Sequence, residues 1–175
     1  MPASPRRLTA SLLLFLAASA AAAQTGAPAP PAPPAPTRPA PALSPTLAQS
    51  RAAAEAAFQA CAGFNIAVAV LNAAGEDKLI LAQDGTPGRF ASFARRKAMT
   101  AILFGKPSGA VRDAARTDPA LAARLAGDPA LIGFAGGLPV TRAGQSFGAV
   151  AVSGGKDQDM DVACATRARD LLERG

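Results

Sequence analysis

Residues 136–165 read GGLPVTRAGQSFGAVAVSGGKDQDMDVACA and contain two apolar strand patterns, the turn between them and the beginning of a helix. Leu138–Arg142 and Ser146–Ser153 are the predicted strands, because each is apolar and the residues between them are typical of a turn. A helix is predicted from about Asp157, since the acidic residues that follow suit the positive end of a helix dipole. A hairpin followed directly by a helix predicts an antiparallel sheet with a helix packed on it.

A second hairpin pattern lies upstream. Ile66–Leu71 is a short Val-rich run, Asn72–Gly75 is turn material, and Lys78–Gln83 is the partner strand. Leu131–Phe134 is a further short apolar run between turn residues, which we predict to be a fifth strand.

Helix signals surround these strands. Ser44 and Pro45 are a typical N-cap and first helical residue, and the helix predicted there extends to about Ala62. Ser92 is a candidate cap for a helix over Phe93–Phe104. One or two short helices follow before the second hairpin, giving the order α-ββ-α(α)-βββ-α. This order predicts an α/β fold of the α+β type.

The N-terminus has the pattern of an export signal. Arg6 and Arg7 form a positive segment, Leu8–Ala18 is apolar, and Ala21–Ala23 supplies small residues for cleavage. We therefore predict a signal peptide over residues 1–23 and a periplasmic or secreted protein. The alternative, a membrane anchor, is disfavoured because the apolar run is shorter than the roughly 20 residues that span a bilayer.

Residues 24–45 form a Pro/Ala-rich segment, and nine of the twenty residues from Gly26 to Pro45 are proline. Such a composition predicts a disordered, extended tether, which is either a spacer or an unselected linker. The folded domain is then expected over residues 46–175.

The composition excludes several classes of function. The chain has no His, Tyr or Trp, so the usual general base and a common metal ligand are missing. The formal net charge is +6, but the basic residues are scattered and no aromatic residues are interleaved with them. This pattern favours attraction to small anions over nucleic-acid binding.

Cys61 and Cys164 are the two cysteines of the chain. Each falls on the apolar stripe of a predicted helix, at the two ends of the domain. An even number of cysteines in an exported protein predicts a disulfide between them. The alternative is a pair of separate buried thiols that act as small apolar side chains.

Five ordered motifs resemble the GlcG/HbpS-like family of haem-binding proteins: VAVLNAAG, S-x4-KAMTA-x2-F, GGLPV, G-x-SFGAVAVSGG and QDMDVA, together covering about residues 48–172. The resemblance implies a profilin-like three-layer α/β/α arrangement around a five-stranded antiparallel sheet. It also implies a homo-oligomer and a bound haem or related tetrapyrrole. The absence of His and Tyr leaves Met99, Lys97 or Thr100 as candidate iron ligands.

The resemblance and the neighbouring basic cluster define a candidate ligand-binding set: Arg96, Lys97, Met99, Thr100, Gly136, Gly137, Ser153, Gly154, Gln158 and Asp159. Each has a structural alternative. The basic residues can be a solvated helix face, Thr100 can bond to its own helix, and Met99 can be core filler. The glycines can serve turns, and Gln158 and Asp159 can cap the last helix. No catalytic residue or metal cluster is predicted from spacing.

These observations predict an exported protein that binds a small ligand, with haem or a related tetrapyrrole as the leading candidate. The main alternative is a periplasmic accessory protein that binds a protein partner without a cofactor. A third hypothesis is an enzyme that acts on a small acid or on haem. It ranks last because no residue supplies a convincing general base.

Overall fold

The computed structural model describes residues 43–175. The predicted signal peptide and residues 24–42 of the predicted tether lie outside this range. The described helices and strands are α1 (Leu47–Ala60), β1 (Ala67–Asn72), β2 (Asp77–Ala82), α2 (Gly88–Phe104), α3 (Ser108–Ala115), α4 (Pro119–Gly127), β3 (Gly137–Arg142), β4 (Gln145–Ser153) and α5 (Gln158–Arg174). Within residues 43–175 no helix is long and apolar enough to cross a membrane.

The four strands form one antiparallel sheet in the order β2-β1-β4-β3. The β1–β2 and β3–β4 hairpins predicted from sequence are therefore joined through β1 and β4. Helices α1 and α5 pack together on one face of the sheet, and α2 packs on the other. The α+β class and the three-layer arrangement are as predicted.

Successive side chains of a strand point to opposite faces of the sheet, so the residues on each face determine which helix packs there. Val68 and Val70 of β1 join the larger apolar cluster beneath α1 and α5. Ala67 and Ala69 point to the other face, where they meet the buried alanines of α2. Small side chains on both surfaces let α2 lie close to the sheet, which brings its backbone near Gly137 of β3.

The prediction of a fifth strand is wrong, because Leu131–Phe134 pairs with no strand in the structure. Side chains of other elements bind its backbone instead. The Thr100 hydroxyl accepts from the Ile132 N–H at 3.0 Å, and the Arg96 guanidinium donates to the Leu131 carbonyl at 2.7 Å. The backbone groups of this apolar run therefore find partners without a strand ladder.

Two helix starts also differ from the sequence predictions. Helix α1 is capped by Thr46, whose side chain forms a reciprocal capping box with Gln49, and not by Ser44. Helix α2 begins at Gly88, one turn before Ser92, and has no side-chain cap. The predicted disulfide between Cys61 and Cys164 is present and links α1 to α5.

Candidate functional site

A buried ion pair joins α2 to α5. The Lys97 ammonium lies 2.7 Å from the Asp161 carboxylate and donates to the Val152 carbonyl at 3.0 Å. The side chains of Lys97 and Asp161 are 2% and 7% exposed, so both charges are removed from water. The second carboxylate oxygen of Asp161 accepts from the Gly155 N–H at 2.9 Å. The pair therefore connects the N-terminus of α5 to α2 beside the C-terminal end of β4.

Burial lowers the pKa of Lys97 below its usual value, and the neighbouring Asp161 carboxylate opposes this shift. The direction shows that desolvation of the ammonium outweighs its attraction to Asp161. The other hydrogen-bond partner of the amine, the Val152 carbonyl, is also a protein atom, and the Lys97 side chain is almost fully shielded from solvent. Its predicted role in ligand binding stays a prediction.

Gly136 and Gly137 make room for this pair. Gly136 has a φ of +115°, and a Cβ there would lie 2.8 Å from both the Asp161 Cβ and the Val152 carbonyl oxygen. A Cβ on Gly137 would overlap with the backbone carbonyl of Lys97. Gly137 thus allows the close approach of α2 to the sheet, whereas Gly136 leaves room for Asp161 and the Lys97 amine.

Replacing Gly137 by Ala is expected to lower the free energy of unfolding by about 2–3 kcal/mol, because the added methyl group meets backbone atoms that cannot rotate away. Urea unfolding followed by circular dichroism measures this loss. The matched control is Gly127→Ala at the end of α4, where a Cβ meets no atom within 4 Å. Equal stability of the two variants would contradict the close-approach explanation.

Thr100 and Arg96 are occupied in holding the segment before β3. The Thr100 hydroxyl lies 3.0 Å from the Arg96 carbonyl and 3.1 Å from the Ile132 carbonyl, and it also accepts from the Ile132 N–H. Arg96 donates twice to the Leu131 carbonyl. Both side chains therefore fix the position of Phe134, which follows in the same segment.

The other predicted residues are spread around this cluster. Met99 faces away from it, with its thioether beside Gly75 in the β1–β2 turn. Ser153 is buried, and the φ of +119° at Gly154 places its backbone against Phe90. Gln158 accepts from the Ala135 N–H at 2.7 Å and from Arg112 at 3.0 Å. Asp159 is exposed.

Three phenylalanines form a partly exposed row above this cluster, which we call the Phe row: Phe90, Phe93 and Phe134. The ring centroids of Phe90 and Phe93 are 6.5 Å apart, and those of Phe93 and Phe134 are 5.9 Å apart with an edge-to-face angle of 90°. Phe134 is 44% exposed, although it is a large apolar side chain.

Basic residues lie at both ends of the Phe row. The Arg89 guanidinium sits 4.8 Å from the Phe90 ring centroid and forms no ion pair with another described residue. At the other end, Arg112 lies against the backbone of Gly133, just before Phe134, and pairs with Asp113 at 3.0 Å. The row therefore offers an apolar aromatic surface with, at one end, an arginine that has no ion-pair partner within residues 43–175.

Sequence reasoning missed Asp161 and most of the Phe row. Asp161 was read as a residue of the first turn of α5, yet it shares a helical stripe with the buried Cys164 and Ala168, a spacing that places its carboxylate inward. Phe90 and Phe134 are 44 positions apart, and no local pattern joins them.

Two shallow grooves lie elsewhere on the described domain. One, of about 350 Å³, runs between α1 and α5 and is lined by Gln59, Arg167 and Leu171. The other, of about 250 Å³, lies beside Asn72 and Glu76 at the β1–β2 turn. Neither contains an aromatic side chain. Within residues 43–175 no cluster of three or more Cys, Asp or Glu side chains could hold a metal ion.

The family model described as haem-degrading protein HbpS-like matches residues 46–170. The chain belongs to the HbpS-like family. The match confirms the resemblance seen in the sequence motifs and covers the whole element order from α1 into α5. No match is found among the curated protein sequences.

Solved structures show the same fold as this HbpS-like chain. A double mutant of HbpS from Streptomyces reticuli is 28% identical with a TM-score of 0.70, and the match covers 85% of this chain and all of that one. The ORFY protein of Klebsiella pneumoniae is 26% identical with a TM-score of 0.68, covering 73% of this chain and 90% of that one. PduOC, solved as a haem complex, is 19% identical with a TM-score of 0.67 over 73% and 94% of the two chains, a likeness of fold.

Proposed function

We propose that this chain is an exported protein that binds a tetrapyrrole of the haem class on the Phe row. The observation that carries the proposal is the row itself, a partly exposed aromatic surface with Arg89 at its end, on an HbpS-like fold. A porphyrin is a flat aromatic ring with carboxylate side chains, so it matches both features. The haem complex of PduOC supports the proposal by showing that this fold is compatible with such a ligand.

Side chains of α2 and α5 hold the backbone segment that carries Phe134. Arg96 and Thr100 hold the segment that carries Phe134, and Gln158 holds the next residue, Ala135. A rigid aromatic surface loses little conformational entropy on binding, which favours affinity. In this view the predicted ligand-binding residues Arg96, Thr100 and Gln158 act as positioning residues.

Titration of the protein, purified after expression of the full chain, with haemin tests the proposal through the Soret absorbance. We expect saturable binding, and Phe134→Ala is expected to weaken it about tenfold, because an aromatic contact contributes about 0.5–1.5 kcal/mol beyond its buried area and about 1.4 kcal/mol is tenfold. The control is Phe104→Ala on the same helix as Phe93, three turns away, where the ring stacks under Arg124. Equal weakening by both substitutions, or no saturable binding, would contradict the site.

The same preparation tests export. An intact mass that begins at about Gln24 supports cleavage of the predicted signal, whereas retention of Met1–Ala23 after expression in a secreting bacterium argues against it. Sedimentation velocity of the wild type and of Phe134→Ala tests the predicted homo-oligomer and shows whether a second copy covers the row.

A protein partner is the second candidate function, favoured by the 44% exposure of Phe134. Exposed apolar patches of soluble proteins mark sites of interaction with either ligands or proteins. If haemin fails to bind, a capture experiment from periplasmic extract with wild type and Phe134→Ala becomes decisive. A partner that the wild type retains and the variant loses would favour this candidate.

A further inference from the structure

We infer that the Phe row recognises the tetrapyrrole ring and its carboxylates without a protein ligand to iron, so that an iron-free porphyrin binds as tightly as haem. The inference rests on the proposed function. It defines the ligand class as flat aromatic tetrapyrroles that carry carboxylates, with or without a bound metal. Two observations lead to it. The Phe row can contact a flat aromatic ring, whereas the side chains that usually coordinate haem iron are missing from the chain or occupied by other contacts.

The strong iron donors are missing or occupied. The whole chain has no His and no Tyr, the residues that commonly hold haem iron with Cys and Met. Both cysteines are joined in the disulfide, which leaves no thiolate. The Lys97 amine is paired with Asp161 inside the domain at 2% exposure. The Thr100 hydroxyl is fully buried against Ile132.

The two thioethers within residues 43–175 have contacts outside the Phe row. Met99 lies against Gly75 at the β1–β2 turn, on another side of α2. The Met160 sulfur accepts from the Lys156 N–H at 3.5 Å and packs beside Gly155. Met160 is the described thioether nearest in sequence to the Gly154 backbone that touches Phe90, so it is the donor that a test must remove.

The contacts that remain act on the ring and on the carboxylates. Stacking and edge-to-face contact with Phe93 and Phe134 depend on the π-system of the ligand, which is present with or without iron. Arg89 attracts a carboxylate, and that attraction weakens with added salt at an exposed site. Nothing in this set distinguishes haem from its iron-free form.

The experiment compares haemin with protoporphyrin IX, each titrated against the purified protein by Soret difference absorbance in the same buffer. We expect dissociation constants within about threefold of each other, and Phe134→Ala is expected to weaken both equally. Met160→Leu and Met99→Leu are expected to leave the spectrum of bound haemin unchanged. Arg89→Gln is expected to weaken both ligands and to reduce the salt dependence of binding.

The outcomes separate the inference from the proposed function. Haemin that binds ten times more tightly than protoporphyrin IX, with a spectrum altered by Met160→Leu, would overturn the inference and leave the proposed function standing. Binding of neither porphyrin would overturn both. Equal binding that Phe104→Ala weakens as much as Phe134→Ala would overturn the placement of the ligand on the row.

Discussion

Replacing Asp161 by Asn is expected to lower the free energy of unfolding by about 3–5 kcal/mol, because removal of one partner leaves the other charge buried without compensation. The Lys97 ammonium, 2.7 Å away, would keep the Val152 carbonyl but lose its counter-charge. The Asn amide oxygen can still accept from the Gly155 N–H, so the substitution removes the charge with little change of shape. Urea unfolding followed by far-ultraviolet circular dichroism measures the loss.

Asp159→Asn is the matched control on the same turn of α5. Asp159 is exposed, so its charge contributes only through the helix dipole, and its replacement is expected to change stability by less than about 1 kcal/mol. A double variant, Lys97→Met with Asp161→Asn, is expected to be more stable than Asp161→Asn alone, since it leaves no buried charge. Losses that simply add in the double variant would show that the two groups do not act as a pair.

Removing the disulfide is expected to have an effect of similar size. Cys61 and Cys164 are 103 positions apart. In the chain-entropy model, closing a loop of that length lowers the entropy of the unfolded chain and so raises the free energy of unfolding by about 4–5 kcal/mol. The variant with Cys61→Ala and Cys164→Ala is therefore expected to unfold at a much lower urea concentration. The alanines replace two cysteines that are each only 1% exposed between α1 and α5.

Reduction provides an internal control for this prediction. A reductant is expected to shift the unfolding midpoint of the wild type to that of the double alanine variant, and to leave the variant unchanged. Circular dichroism is the suitable probe, since the chain contains no Trp or Tyr to report unfolding by fluorescence. A variant within about 1 kcal/mol of the wild type would show that residual structure in the unfolded chain offsets the loop restriction.

Local signals predicted the elements that depend on neighbours in sequence. The two hairpins followed from apolar runs separated by turn residues. The start of α5 near Asp157 followed from the acidic residues of its first turn, and in the structure the Asp157 side chain caps the helix. The disulfide could be predicted because two cysteines on inward stripes allow a single pairing. Leu131–Phe134 was misread, since an apolar run carries no sign that Thr100 and Arg96 will take its hydrogen bonds.

The candidate site depends on contacts between distant parts of the chain. Lys97 was singled out from a basic cluster as a ligand-binding candidate, a role that stays a prediction. Its partner Asp161 lies 64 positions away and was interpreted as an acidic residue of the first turn of α5. The Phe row combines α2 with the segment before β3, and the exposure of Phe134 cannot be seen from its neighbours. Gly136 and Gly137 were predicted to contact a ligand, and that role stays a prediction. In the structure Gly137 leaves room for the backbone of α2, and Gly136 leaves room for Asp161 and the Lys97 amine.

The sequence by itself determined the family, the α+β class, the two hairpins and the disulfide, because each depends on ordered motifs or on short-range periodicity. Only the tertiary structure decided that the sheet has four strands, that Lys97 forms a buried ion pair with Asp161, and that three phenylalanines meet at the surface. Those features depend on which faces of α2, α5 and the sheet come together. That choice is made by packing over the whole domain, where small alanine faces let α2 approach the sheet and larger Val and Leu faces receive α1 and α5.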